Sequence, residues 1–197
     1  MAGVRSVSAT GRSIRRLLEL RFRDDEPITG TPTSVAIVRT EDLDPDNLPT
    51  LVSRPALTLF LYRVDFNKTM RAAWSGVGYQ EGRSFLPLDL HFLLTAWAEN
   101  AEWEHAILGR AMQIFDSLPI LSGPLLQASG GWAAGDAIHI VMEEISTEAV
   151  MRTFDSLPVD YHLSVPYIIR IVRLDGRDTS QRPSVTTAVT GIVPGTT

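Results

Sequence analysis

Residues 88–119, LDLHFLLTAWAENAEWEHAILGRAMQIFDSLP, decide the fold, because they hold a change from strand to helix. The run around LPLDLHFLLTAWA reads as a strand. Asn100 then caps a helix whose first turn carries Glu102 and Glu104, both favourable at the positive end of the helix dipole. Ile107, Leu108, Met112 and Phe115 give that helix an apolar stripe, which ends at Pro119.

The neighbouring segments extend the pattern in both directions. Upstream, ALTLFLYRVDF (56–66) is rich in aromatic and β-branched residues and reads as a central strand covered on both faces. NKTMRAAWSGVGYQEGRS (67–84) fits the loop of a long hairpin between the two strands. Near the start, Val4, Val7, Ile14, Leu17, Leu18 and Phe22 recur at helical intervals. DDEPITGTPT breaks that helix, SVAIVRT reads as a short strand, and EDLDPDNLPT as an acidic turn. Downstream of a Gly/Pro-rich connection, AIHIVMEEI reads as a strand, STEAVMRTFDSL as a helix capped by Ser146 or Thr147, and LSVPYIIRIVRL as the last strand. The fold class is α/β: a single domain, with a mixed, mostly antiparallel sheet flanked by helices and an extended C-terminal arm. The domain is expected over 1–175 and the arm over 176–197, where helical and strand-core patterning is missing.

Composition excludes several function classes. A length of 197 residues suits one domain, and 44% hydrophobic with 21% charged residues is ordinary globular usage. A net charge of -5 argues against general affinity for nucleic acid. Cysteine is absent, which removes disulfides, thiolate zinc sites and a cysteine nucleophile. No stretch is apolar enough for a membrane span, and the first residues have no signal-peptide core.

Candidate chemistry is sparse. Glu102-x-x-His105 has the spacing of a metal-ligand pair on a helix, but a carboxylate-bridged metal bundle needs a second such pair and further glutamates. A solvated helix face is expected instead. Asp89 and His91 share one face of a strand, yet no nucleophile accompanies them, and polar residues at a sheet face or a subunit contact are expected. Gly76-Val77-Gly78 lacks the third glycine spacing and the helix of a dinucleotide site. FDSLP occurs twice, at 115–119 and 154–158, and reads as a shared helix stop rather than a repeat. Arg12, Arg15 and Arg16 form a basic helix stripe, which is either solvated or faces an acidic partner, and Trp74 and Tyr79 either anchor a protein contact or pack down onto their own domain. No catalytic, metal or cofactor residue is assigned.

The succession SRPALTLFLYRVDFN, LPLDLHFLLTAWAENAEWEHAILGRAM and LSVPYIIRIVRLD resembles the tail-terminator, or cap, proteins of extracellular contractile injection systems, the phage-tail-like particles of bacteria. The resemblance covers about residues 4–175, and its most specific part is the strand-to-helix junction, through Leu88, Leu90, Leu93, Thr95, Ala96, Trp97, Ala98, Glu104, His105 and Leu108. It implies a structural protein, not an enzyme, that forms a six-fold ring on the last layer of inner tube and contractile sheath and stops their polymerisation. Assembly would be cytoplasmic, within a particle that can be released from the cell. In that resemblance the junction is scaffold, and His105 is neither ligand nor catalyst. The arm, through Val185, Val189 and Ile192, is then expected to dock on a neighbouring copy or on the sheath. The rival reading is a small metal-dependent or histidine-based hydrolase using His91, Glu102 or His105.

Overall fold

The computed structural model describes residues 3–48, 52–53, 55–70 and 85–175. Six strands form one sheet: β1 (Ser34–Val38), β2 (Ala56–Phe66), β3 (Phe85–Trp97), β4 (Ile120–Ser122), β5 (Ala137–Met142) and β6 (Ser164–Asp175). Their order is β1-β2-β3-β6-β5-β4; β1 runs parallel to β2, and every other pairing is antiparallel. Among the described residues three α-helices with both ends defined accompany them, α1 (Ser6–Asp24), α2 (Ala101–Ser117) and α3 (Thr147–Asp155), and residues 68–70 are helical as well. This is the mixed, mostly antiparallel architecture that the sequence led us to expect.

The long antiparallel pair β2–β3 is the frame of the molecule. Side chains alternate between its faces, so each strand feeds two cores. On the first face Leu57, Leu59, Leu90, Phe92 and Leu94 pack with Ile14, Leu18 and Phe22 of α1 and with Ile107, Ala111 and Phe115 of α2. Gly11 lets α1 approach closely: a Cβ there would sit 3.3 Å from the Ile37 side chain and 3.7 Å from Phe92. On the second face Phe60, Leu93 and Trp97 pack with Leu43 and Leu48 of the acidic segment and with Val150 and Phe154 of α3.

Local chemistry explains the element ends. Asn100 Oδ1 accepts a 2.9 Å bond from the Trp103 N–H, and Ser146 Oγ accepts one of 3.2 Å from Ala149 N–H. The FDSLP copies act as helix stops, since α2 ends at Ser117 and α3 at Asp155. Their phenylalanines serve opposite faces, Phe115 in the first core and Phe154 in the second.

Some expectations need correction. β2 has the expected bounds, but it is covered only in its first half: Ala56 to Phe60 are buried, whereas Arg63 to Phe66 are exposed. The acidic turn contains a 3-10 helix, Thr40–Leu43, whose Leu43 seals the second core. The Gly/Pro-rich connection contains β4 and two further 3-10 turns. β5 stops at Met142, short of the full AIHIVMEEI run. Residues 71–84 and the arm, 176–197, lie outside the described residues, with Trp74, Tyr79, Val185, Val189 and Ile192 among them.

Candidate assembly surfaces

The opening junction holds scaffold at its centre and solvent at its margin. Glu102 and His105 are both exposed on α2. The carboxylate that meets a histidine is Glu104, whose Oε1 lies 2.9 Å from His162 Nε2 and also accepts a 3.3 Å bond from Ala98 N–H. His162 stacks on Trp97 with centroids 4.5 Å apart, and Trp97 Nε1–H donates to Thr58 Oγ1 at 2.9 Å. These contacts clamp the end of β3 to the start of α2 and to the approach to β6. Among the described residues no group of three or more His, Asp or Glu side chains is arranged to hold a metal ion.

Asp89 and His91 do share the second face of β3, but they turn to different partners. Asp89 accepts bonds from Asn67 Nδ2 at 3.0 and 3.3 Å, pinning the end of β2. His91 is 3% exposed, with Nδ1 2.8 Å from Glu143 Oε2 and Nε2 3.3 Å from Asp65 Oδ2. Arg63 lies 3.0 Å from Glu143 and 3.0 Å from Asp65, and Tyr62 O–H donates to Glu143 Oε2 at 2.9 Å. Burial, then that hydrogen bond to Glu143, pushes the Tyr62 phenol well above its ordinary value. A register shift between Leu61 and Arg63 brings Tyr62 and Arg63 onto one carboxylate, which strict alternation would prevent. The cluster therefore ties β2, β3 and the residue after β5 together, and it encloses the imidazole too fully for a substrate to reach it.

The basic stripe of α1 is partly committed. Arg12 donates to Ser129 Oγ at 2.8 Å, and Arg15 pairs with Glu19 one turn later at 2.8 Å. Arg16 borders a groove of about 570 Å³ lined by Trp132, Leu126 and Asp136. Gly130 makes room for that tryptophan, since a Cβ there would lie 2.5 Å from the indole.

A surface the sequence did not indicate lies at the end of β5. β4 covers only Ala137 to His139 of its outer edge, and the Ile140 N–H donates to the Pro119 carbonyl at 2.8 Å. Proline has no N–H to return the bond. Glu143 N–H turns the other way, to Pro166 O at 3.0 Å, so Met142 between them directs its N–H and C=O to the outer edge, beyond the last β4 pair. Two grooves flank Met142. One, about 530 Å³, is lined by Met112, Phe115 and Tyr167; the other, about 470 Å³, by Val150, Tyr161 and Pro166. Burial, with Asp116 nearby, pushes the Tyr167 phenol up to about 12.

Comparison with known proteins gives this geometry a lineage. No curated protein matches the chain closely enough to count as a relative. Two solved structures share the fold. One is the sheath/tube terminator of the PVC extracellular contractile injection system in its extended state, with a TM-score of 0.56 and 18% identity over 94% of this chain and 64% of that one. The other is the tube-terminating cap of the anti-feeding prophage, with a TM-score of 0.54 and 15% identity over 94% of this chain and 59% of that one. The chain thus spans less than two thirds of either structure. A family model, described as the Pvc16 N-terminal domain, matches residues 9–188, nearly the whole sequence, and the chain belongs to that family.

Proposed function

We propose that this protein is a structural cap of a contractile injection system: a tail terminator that forms a ring on the end of the inner tube and sheath and stops their polymerisation. The observation that carries the reading is the family match over residues 9–188, joined to a fold common to two terminators. The buried His91 and the solvent-facing Glu102 and His105 favour scaffold over the rival hydrolase. The protein acts without catalysis and without a cofactor.

Its partners are other copies of itself, in a six-fold ring, and the terminal layers of tube and sheath. Cyclic symmetry repeats one face toward a tubular end, which a monomer cannot do. The surfaces assigned to these contacts are Arg12, Arg15 and Arg16 on α1, Trp74 and Tyr79 between β2 and β3 in the sequence, and Val185, Val189 and Ile192 in the segment after β6. Arg16 has the strongest support of the three arginines, because it stands beside the Trp132 groove while Arg12 and Arg15 are engaged locally. The particle assembles in the cytoplasm before release.

The test is native mass spectrometry and negative-stain imaging of the purified chain, alone and bound to assembled particles. Closed rings, and density for this chain at one particle end, are expected. A monomer that decorates no particle end contradicts the proposal.

A further inference from the structure

We propose that the open edge of β5 at Ile140 and Met142 is the receptor for residues 184–193 of a neighbouring copy, which add to the sheet as a strand. This rests on the cap reading, in which copies stand side by side, and it goes further by naming the surface that joins them.

The receptor side follows from the backbone. Ile140 C=O faces Pro119, which cannot donate, and Met142 presents an N–H and a C=O past Ile120, the first residue of β4. An exposed sheet edge of this kind invites strand addition. Successive side chains of an added strand point to opposite faces. Here each face has its own groove, a largely apolar one beside Phe115 and Tyr167 and a mixed one beside Val150 and Tyr161 that Glu143, Glu144 and Ser164 also line, with Met142, 52% exposed, between them. An incoming strand therefore finds main-chain partners and a place for both sets of its side chains.

The occupant follows from composition and reach. Residues 184–193, SVTTAVTGIV, are uncharged and rich in β-branched residues, with threonines among the valines, which suits an added strand that meets one largely apolar and one mixed groove. The charged residues of the arm, Arg177, Asp178 and Arg182, all precede them. The family match continues to residue 188, past the end of β6 at Asp175, and so takes in the first half of this stretch. Geometry favours the neighbour. Met142 pairs with Tyr167, near the start of β6, while the arm leaves from Asp175 at the far end. At about 3.3 Å per residue that separation is about 26 Å. Residues 176–183 span it only if they double straight back, fully stretched, and a return that sets Val189 beside Met142, with about 46 Å of chain at full stretch, still has to reverse direction over the molecule's own sheet. A neighbour's groove requires no such reversal.

The native chain contains no cysteine, so introduced thiols are the only ones present. Full-length Met142→Cys and Val189→Cys proteins are mixed and oxidised, alone and on assembled particles, with Glu102→Cys plus Val189→Cys as the control pair. A disulfide-linked dimer at least tenfold above the control is expected. A Met142→Lys variant, which keeps the backbone but places charge between the grooves, should weaken ring association at least tenfold with an unchanged monomer melting temperature. A mixed product no stronger than the control overturns the proposal, and so does a Met142→Cys/Val189→Cys double variant that closes its disulfide only within one chain. If either occurs while rings still form and cap particles, this inference alone fails. If the protein is monomeric and caps nothing, the cap reading fails with it.

Discussion

The two faces of the sheet are built on different principles. The first is a continuous apolar core under α1 and α2, with Leu57, Leu59, Leu90 and Leu94 at or below 1% exposure. The second has a smaller apolar core and shares its area with polar and charged groups, from the Thr58–Trp97 contact to the Tyr62, Arg63, His91 and Glu143 cluster. The difference teaches where stability and geometry reside. The first face should set whether the chain folds, and the second how the β2–β3 hairpin is aimed relative to β5 and α3.

Substitutions can break that contrast. Leu94→Ala, on the sealed face, should cost about 3–5 kcal/mol, because the surrounding helices cannot collapse into the cavity. Chemical denaturation reads it directly, and a cost below about 1 kcal/mol would mean that the face is loosely packed. Glu143→Ala, on the mixed face, should cost less, about 1–3 kcal/mol, by leaving His91 and Tyr62 without their shared acceptor. Because that carboxylate also aims the hairpin, hydrogen exchange in β2 after Phe60 should rise more in Glu143→Ala than in Leu94→Ala.

Smaller effects sharpen the comparison. Gly109 is exposed on α2, and a Cβ there would meet nothing within 4 Å, so Gly109→Ala should stabilise by about 1 kcal/mol. A higher melting temperature checks it. A half-buried phenol, Tyr62, and a buried one, Tyr167, report on both faces through pH. Tyr167 abuts Phe115 of the first core and Tyr62 belongs to the polar cluster; both have raised folded values against an ordinary 10.0. Their contribution is fully present below pH 10 and is lost as pH rises above it, when the unfolded chain releases protons that the folded chain retains. Tyr62→Phe and Tyr167→Phe should each flatten that alkaline decline in a pH-stability series. Glu102→Ala with His105→Ala, on the solvated margin of α2, should change stability by less than about 0.5 kcal/mol.

What was legible in the sequence follows this division. The apolar periodicities of α1, α2, β2 and β3 announce the first face, and Asn100 and Ser146 announce helix starts through chemistry local to a few residues. The second face depends on register. Nothing in the sequence near His91 indicates that Glu143 will lie 2.8 Å away, because the contact needs the β3–β6–β5 order, and Tyr62 and Arg63 join it through the shift after Leu61. Leu43 was hidden for a related reason, since it is one apolar residue in an acidic run that becomes a core residue only when the segment folds under the sheet. Glu102-x-x-His105 was the more visible motif, but Glu104, two positions from Glu102 and on another side of the helix, makes the contact with His162. The open edge of β5 is invisible locally because it arises from where β4 begins.

The cap reading is tested most directly by the length distribution of injection particles assembled with and without this chain. Particles of uniform length with the chain, and broadly distributed, overlong or unstable tubes and sheaths without it, are the predicted result. An unchanged length distribution, with particle ends of unchanged shape in its absence, would contradict the assignment.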